Sequence, residues 1–346
     1  MLDEVTHRRL LEKLEREGGS VFIEALKNPD VIEVMRNSDG RLWADFAGVG
    51  MKCLGEMSAS RAESILSTCA SMLGTALTRE NPILEGEFPL DSSRLQGLIP
   101  PISSTAVFAI RKKALKVFTL TDYIERGILA QHTVKPQDFL SLTANTPKDS
   151  ADHWPSLSFS DRLEWAIREK MNILVVGGTG SGKTTLANAL LHSLSEQCPN
   201  DRIVAIEDTM ELQVRVENAV LLRASEHVPM SRLLRATMRL RPDRIIVGEV
   251  RGGEAYTLLK SWNSGHPGGL ATIHANSAEE GLDKLSQYIF EAPDARNFSN
   301  DMVGRMIAST VNVVVFIERI SGAAGRKVSQ VVRVQGFKDG RFVFVR

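Results

Sequence analysis

Residues 177 to 184 read Gly-Gly-Thr-Gly-Ser-Gly-Lys-Thr, a pattern whose glycines, lysine and hydroxyl groups suit the binding of phosphate. Glycines let successive backbone N–H groups point toward one anion, because no side chain restricts the backbone there. Lys183 can reach the β- and γ-phosphates of a nucleoside triphosphate, and the Thr184 hydroxyl can ligate Mg²⁺. The predicted phosphate-binding residues are Gly177, Gly178, Thr179, Gly180, Ser181, Gly182, Lys183, Thr184 and Thr185.

Such a loop needs a strand before it and a helix after it, and the sequence predicts both. Residues 172 to 176, Asn-Ile-Leu-Val-Val, are a short apolar run typical of a buried strand. Residues 186 to 191 favour a helix, whose first N–H groups and positive dipole end add to the attraction for phosphate. A glycine-rich turn without a ligand is the alternative, but the complete pattern in this context favours a nucleoside triphosphate site.

Carboxylates end two further predicted strands, at 202–206 and 244–250. In open α/β sheets ligands bind at the carboxyl edge of the strands, so these acids are expected near the phosphates. Glu207 is predicted to polarise the attacking water and face the metal. Asp208 is either an outer partner of that site or a cap for the turn that follows. Glu249 is predicted to hold the Mg²⁺ coordination shell, together with Thr184 and Glu207.

Two histidines flank a fourth predicted strand. His274 comes at its end, where a ring nitrogen could donate a hydrogen bond to the γ-phosphate or respond to its loss. His266 precedes the strand among Gly265, Pro267 and Gly268, which suggest a tightly shaped turn. A structural role is the alternative for both histidines, and the sequence leaves it open for His266.

Arginines are frequent between residues 232 and 251, and most of them are predicted to be solvated charges on a helix. A guanidinium can also stabilise charge on a transferring phosphoryl group when it comes from a neighbouring domain or subunit. Arg94 and Arg111, in the first third of the chain, are candidates for that role.

The composition places limits on these interpretations. A length of 346 residues suggests two domains, and a formal net charge of +0 requires neither nucleic acid nor an anionic surface as a partner. Cys53, Cys69 and Cys198 are far apart, which argues against a zinc site or a disulfide framework and favours a reducing cytoplasm. No apolar run approaches the roughly 20 residues of a membrane span, and no signal peptide is recognisable.

The coarse pattern divides the chain into three parts. Residues 1–115 are predicted as a small α+β domain, and residues 116–160 as a linker with a Pro-rich insertion from 131 to 160. Residues 161–346 alternate strands with helices, which indicates a parallel sheet covered by helices. The strands are predicted at 31–35, 41–45, 87–90, 93–99, 107–111, 172–176, 202–206, 244–250, 269–274 and 311–318, and a helix at 60–73.

The first residues carry an apolar stripe at helical spacing. Leu2, Val5, Leu10, Leu11 and Leu14 recur among charges of both signs, which predicts an amphipathic helix over residues 2–16. The mixed charges favour packing on the same domain or on a neighbouring subunit, and contact with a membrane surface is the alternative.

Four segments together resemble the sequence boxes of the secretion and pilus ATPases. They are residues 177–184, residues 206–209 (Ile-Glu-Asp-Thr), residues 246–251 (Ile-Val-Gly-Glu-Val-Arg) and residues 265–276, which run from Gly265-His266-Pro267-Gly268 to Thr272-Ile273-His274-Ala275-Asn276. More narrowly, residues 41–43, 84–87, 108–112 and 234–237 resemble the TrbB-type conjugative-transfer ATPases of the type IV secretion branch. The resemblance extends from about Leu10 to Ile317.

This resemblance implies a RecA-like P-loop motor domain behind a smaller N-terminal domain, assembled as a hexameric ring with ATP and Mg²⁺ between the two domains. It implies work at the cytoplasmic face of the inner membrane, on the type IV secretion channel and its coupling proteins, to energise conjugative pilus assembly and DNA transfer. No direct sequence-specific contact with nucleic acid is implied. The resemblance implies that Arg94 and Arg111 reach the phosphates and that Glu207 is the acid of the second box. Together with Lys183, Glu249 and His274, these are the predicted catalytic residues.

Other nucleotide-dependent functions fit the sequence less well. A type II secretion or pilus-retraction motor is the nearest alternative, although assembly motors commonly carry a four-cysteine insertion that three scattered cysteines cannot supply. A DNA-translocating RecA-like helicase would favour a basic track, which the balanced charge does not provide. A GTPase switch would want an Asn-Lys-x-Asp motif, and no Asn-Lys pair occurs. A structural ring that binds ATP without hydrolysing it is a further alternative, and it would release no phosphate.

Overall fold

The computed structural model describes residues 4–46, 49–112, 118–129, 151–225, 227–322 and 324–346. The chain forms two compact units, Met1–Leu115 and Lys116–Arg346, and each has a β-sheet of its own. The observed elements match the predicted fold class, α/β with a smaller α+β part. Among the described residues, no helix combines the length and the apolar character needed to cross a bilayer.

The first unit is a six-stranded antiparallel sheet packed against two helices. Its elements are α1 (Glu4–Lys27), β1 (Val31–Arg36), β2 (Arg41–Phe46), β3 (Gly50–Glu56), α2 (Ala59–Met72), β4 (Ile83–Glu87), β5 (Arg94–Leu98) and β6 (Val107–Arg111). The strand order is β3-β2-β1-β6-β5-β4, and every neighbouring pair is antiparallel. Apolar side chains such as Phe22 of α1, Leu66 of α2 and Ile110 of β6 form its core.

The predicted amphipathic helix is the first part of α1. Leu14 is fully buried in the core of the first unit, whereas the side chain of Val5 is half exposed. Leu2 lies outside the described residues. The helix is interrupted at Gly19, where φ is 72°, so the predicted stripe and the buried second half belong to two helical segments.

Two features of the first sheet differ from the sequence prediction. The strand predicted at 87–90 is wrong, because the chain turns there: the Phe88 N–H donates to the Ser93 carbonyl and the Ser92 N–H to the Phe88 carbonyl. The strand ends instead at Glu87. The edge strand β3 had no prediction, because its residues are mostly exposed and lack a clear apolar alternation.

The second unit is an eight-stranded sheet covered by helices on both faces. Its helices are α3 (Leu120–Glu125), α4 (Phe159–Arg168), α5 (Lys183–Gln197), α6 (Met230–Thr237), α7 (Glu254–Trp262), α8 (Ala278–Glu291) and α9 (Asn300–Thr310), with 3₁₀ turns at Ala151–Ser156 and Pro293–Ala295. Its strands are β7 (Ile173–Val176), β8 (Ile203–Glu207), β9 (Ala219–Arg223), β10 (Arg244–Val247), β11 (Leu270–Ile273), β12 (Val313–Arg319), β13 (Arg326–Lys338) and β14 (Arg341–Val345).

The strand order is β14-β13-β12-β7-β11-β10-β8-β9. The six strands from β12 to β9 in this order are parallel, as the alternation of strands and helices predicted. At the other edge β13 and β14 are antiparallel. The sequence prediction lacked β9 and this C-terminal hairpin.

Strand β7 is buried on both faces of the sheet. Ile173 and Val175 pack into one core, and Leu174 and Val176 pack into the core on the opposite face. A continuous apolar run is typical of a parallel strand covered by helices on both sides. The loop that follows β7 is therefore attached to a strand that has little freedom to move.

The described parts of the segment predicted as a linker pack into the second unit. Leu120, Tyr123, Trp154 and Leu157 are buried in the same core as β7. Residues 130–150, which hold most of the predicted insertion, lie outside the described residues.

Candidate functional site

The phosphate loop connects β7 to the first turn of α5. Its backbone takes the left-handed conformation at Gly180, with φ 66°, and at Gly182, with φ 98°, directly before the helix. Residues with side chains rarely adopt this conformation, so these two positions require glycine. Gly177 and Gly178 have no such φ. Lys183 begins the helix and is buried, which brings its ammonium group under the loop.

Glu207 ends β8 and is almost completely buried. Its Oε1 accepts hydrogen bonds from the N–H groups of Glu211, at 3.0 Å, and Leu212, at 2.9 Å. Its buried Oε2 has no hydrogen-bond partner among the described residues. Burial raises the pKa of Glu207 to about 7, although the two N–H donors oppose the shift. One carboxylate oxygen is thus anchored, and the other can take a proton near neutral pH.

Gly248, which follows β10, makes room for Glu207. A Cβ atom at this position would lie 2.8 Å from the Glu207 Cγ, which is closer than packed carbon atoms approach. The absence of a side chain at Gly248 therefore leaves the space that the Glu207 side chain of β8 occupies.

Asn188 of α5 fixes the segment that holds Glu207. Its Nδ2 donates to the Glu211 carbonyl at 3.1 Å, and its Oδ1 accepts from the Gln213 N–H at 2.8 Å. The helix that begins at the phosphate loop thereby positions the loop after β8. The predicted phosphate loop and the segment that holds Glu207 are consequently connected through Asn188.

Lys183, His274 and Glu249 form a continuous polar chain. The Lys183 Nζ lies 3.1 Å from the Gly178 carbonyl oxygen and 3.1 Å from the His274 Nδ1. The His274 Nε2 lies 2.8 Å from the Glu249 Oε1. The structure therefore brings together three predicted site residues, from α5 and from the ends of β11 and β10.

Arg251 extends this chain, although the sequence analysis had placed it among solvated charges. Its Nε donates to the Glu249 Oε2 at 2.7 Å, and its Nη1 donates to the Asp208 Oδ2 at 2.5 Å. Partial burial lowers the pKa of Arg251, but the carboxylates of Glu249 and Asp208 outweigh that effect and raise it. Asp208 is thus joined to the site through Arg251. Arg251 follows Glu249 by two residues, and this spacing was the sequence signal that could have identified it as part of the site.

His266 lies away from these groups. It precedes β11 by four residues, so it belongs to the opposite edge of the parallel sheet from His274. Its Nδ1 is 2.8 Å from the Pro242 carbonyl oxygen. This contact fixes the turn before β11. His266 therefore has the structural role that the sequence left open as an alternative.

Arg94 and Arg111 belong to the first unit. They are directly opposite each other on β5 and β6, and Arg111 is exposed while Arg94 is half-buried. The register places two guanidinium groups at one end of this strand pair.

The second unit has a donor set that fits a triphosphate with Mg²⁺. The buried Ser181 Oγ, like the Glu207 Oε2, has no hydrogen-bond partner among the described residues. The Thr184 hydroxyl belongs to the first turn of α5. Within the described ranges there is no cluster of three or more His, Cys, Asp or Glu that could hold a metal. Mg²⁺ commonly binds through one or two protein oxygens, substrate phosphates and water, so these residues suit it.

Comparisons with known proteins agree with this geometry. The family model described as Type II/IV secretion system protein matches residues 158–338. The chain is 40% identical over 337 residues to a probable conjugal transfer protein TrbB of Sinorhizobium fredii, which covers 97% of this chain and 93% of that protein. It is 30% identical over 313 residues to the type IV secretion system protein PtlH of Bordetella pertussis, covering 87% of this chain and 89% of that protein.

Among solved structures, the pilus retraction motor PilT with bound ADP matches with a TM-score of 0.56 at 17% identity, covering 93% of this chain and 80% of that chain. At this identity the likeness concerns the fold alone. The predicted fold, a RecA-like P-loop motor domain with a smaller N-terminal α+β domain, is confirmed.

Proposed function

Since this chain belongs to the Type II/IV secretion system protein family, we propose that it hydrolyses ATP to energise type IV secretion, with conjugative pilus assembly and DNA transfer as its task. The observation that carries the proposal is the convergence of Lys183, Glu207, Glu249 and His274 at the carboxyl edge of one parallel sheet. The 40% identity to a probable conjugal transfer protein over 97% of the chain supports the choice of transport system.

The reaction assigned to this site is attack of water on the γ-phosphorus of ATP. A P–O bond forms to the water oxygen, the bond from the γ-phosphorus to the β-γ bridging oxygen breaks, and ADP and inorganic phosphate result. The Glu207 Oε2 would orient the water and accept its proton, because the pKa of this carboxyl lies near neutrality. Lys183 and the loop N–H groups would hold the phosphates, and the His274 ring would contact the γ-phosphate.

Mg²⁺ bound with the triphosphate would neutralise charge that develops on the phosphate oxygens. Thr184 would hold it directly, and Glu207 and Glu249 would support its shell. Arg251 would keep Glu249 in place, since it binds the Glu249 Oε2.

Three further parts of the proposal rest on the family resemblance. The active form is a homo-hexamer. Arg94 and Arg111 stabilise charge on the phosphates. The ring works at the cytoplasmic face of the inner membrane, against channel and coupling proteins of a type IV secretion system, with peripheral membrane contact and without sequence-specific binding of nucleic acid.

Plasmid transfer from donor cells tests the proposed task. In a conjugative donor that lacks this gene, the wild-type chain should restore transfer, and Lys183→Ala should not, at equal protein levels. Restoration by Lys183→Ala would contradict an energising role. If wild-type protein restores twitching or type II secretion in a matching mutant but not conjugation, the assignment to type IV secretion is wrong.

A further inference from the structure

The hairpin formed by β12 and β13 brings two arginines to the phosphate loop. Arg319 ends β12, Arg326 begins β13, and the two residues are directly paired across the strands. The Arg319 Nε donates a hydrogen bond to the Gly180 carbonyl at 3.0 Å. This contact joins residues 139 positions apart in the sequence, so no local pattern could have predicted it.

Both guanidinium groups lie against the two left-handed glycines of the loop. A Cβ atom at Gly180 would lie 2.6 Å from the Arg319 Nη2, and one at Gly182 would lie 3.0 Å from the Arg326 Nη1. The glycines that turn the loop thus also admit these side chains. Two positive charges therefore border the backbone whose N–H groups face the phosphates.

The strand order indicates which part of the nucleotide these arginines would meet. Strand β7 lies between β11 and β12. His274, Glu249 and Glu207 follow β11, β10 and β8, all on one side of β7, where the γ-phosphate must face the reacting water. The nucleoside end of the same ligand must then extend toward the other side, where β12 and β13 bring Arg319 and Arg326.

We propose that Arg319 and Arg326 bind the α-phosphate of the nucleotide, with Arg319 also holding the loop through Gly180. The inference rests on the proposed nucleotide site. A guanidinium suits this role, because its fork of N–H donors can bind one phosphate while another N–H binds a carbonyl. The arginines are binding residues for both ATP and ADP and take no part in proton transfer.

Equilibrium titration with ADP and with inorganic tripolyphosphate tests the proposal in the full-length chain. Hydrogen bonds to charged groups contribute about 1.5–3 kcal/mol, so Arg319→Ala and Arg326→Ala should each weaken both ligands by roughly tenfold or more. Arg319→Lys should recover part of the loss, because it keeps the charge but not the fork. Arg341→Ala is the control, since this exposed arginine pairs with Lys338 at the far end of β13, about 40 Å along the strand from Arg326.

Affinities of both alanine variants within twofold of wild type would overturn the proposal. So would a loss confined to ADP, since that result assigns the contact to the ribose or the base. Thermal unfolding shows whether each variant is folded. Partial recovery of affinity by Arg319→Lys provides a second check that the alanine variant has not lost affinity through unfolding. Failure of the proposed nucleotide site would look different, because wild-type protein itself would then bind neither ADP nor tripolyphosphate.

Discussion

The two oxygens of the Glu207 carboxylate have different surroundings, and the difference suits the proposed role of Glu207 as a base. Two backbone N–H groups hold Oε1, while Oε2 is buried without a hydrogen-bond partner among the described residues. A buried charge with half of its hydrogen bonds missing is unfavourable, and this accounts for the raised pKa. With this pKa the carboxylate can take up and release a proton near neutral pH, as the proposed role requires.

Glu207→Gln should abolish turnover and leave the fold intact, because the amide oxygen can still accept the two N–H groups but cannot take a proton. Loss of a general base typically costs about 10²- to 10⁴-fold in rate. Phosphate release and circular dichroism measure the two effects. A variant with more than half of the wild-type rate would remove Glu207 from catalysis.

The pH dependence of stability tests the raised pKa of Glu207 independently of activity. Because the folded pKa is about 7 and the ordinary value is 4.5, protonated Glu207 stabilises the fold at low pH. That contribution is lost as the pH rises from about 4.5 to 7, by at most about 1.4 kcal/mol per pH unit. In urea unfolding, the unfolding free energy of Glu207→Gln should therefore rise relative to that of wild type between pH 5 and pH 8. A difference in unfolding free energy that stays constant over this range would contradict the raised pKa.

Arg251 is expected to position the acids without stabilising the fold. Its side chain is 45% exposed and contacts Glu249 and Asp208, and ion pairs that water can reach contribute about 0–1 kcal/mol to stability. Arg251→Ala should lower kcat roughly tenfold while the unfolding free energy stays within about 1 kcal/mol. Arg235→Ala, at an exposed position of α6, is the matched control. Equal rates for the two variants would show that Arg251 does not act on the site.

At the scale of elements, the site depends on how closely β8 and β10 approach each other after their last residues. Gly248→Ala places a methyl group 2.8 Å from the Glu207 Cγ, so the carboxylate must shift. Overpacking of this kind typically costs about 1–3 kcal/mol, and turnover should fall at least tenfold. Gly336→Ala, with nothing within 4 Å of the added methyl group, is the control. If both variants keep the wild-type rate, the position of Glu207 is not critical.

The sequence predicted those elements that carry their own local signal. The run that forms β7 is apolar throughout, and the run that forms β10 is apolar after Arg244. The glycines and the lysine of the loop have fixed spacing, so the strands and the loop were found. The C-terminal hairpin was not, because charged and polar residues interrupt the apolar residues of β13 without a regular alternation. The bonds of Asn188 to the loop after β8 and of Arg319 to Gly180 depend on distant parts of the chain. Such contacts exist only once the sheet has formed.

The whole molecule, as proposed, is a ring larger than one chain. The single chain has a mass of 38.1 kDa, and the proposed ring contains six copies. Light scattering with ATP and Mg²⁺ should give a mass about six times that of the chain, with closed rings the expected form of a symmetric oligomer. A monomer that hydrolyses ATP at the full rate would rule out the ring.

We infer that the phosphate loop and Glu207 form one hydrolytic site, and steady-state phosphate release from ATP with Mg²⁺ measures the activity of that site. Wild-type protein should turn over, while Lys183→Ala and Glu207→Gln should each lose at least about 10²-fold in rate and Arg341→Ala should match wild type. Turnover by Lys183→Ala or by Glu207→Gln at the wild-type rate would show that the loop and Glu207 do not form the hydrolytic site.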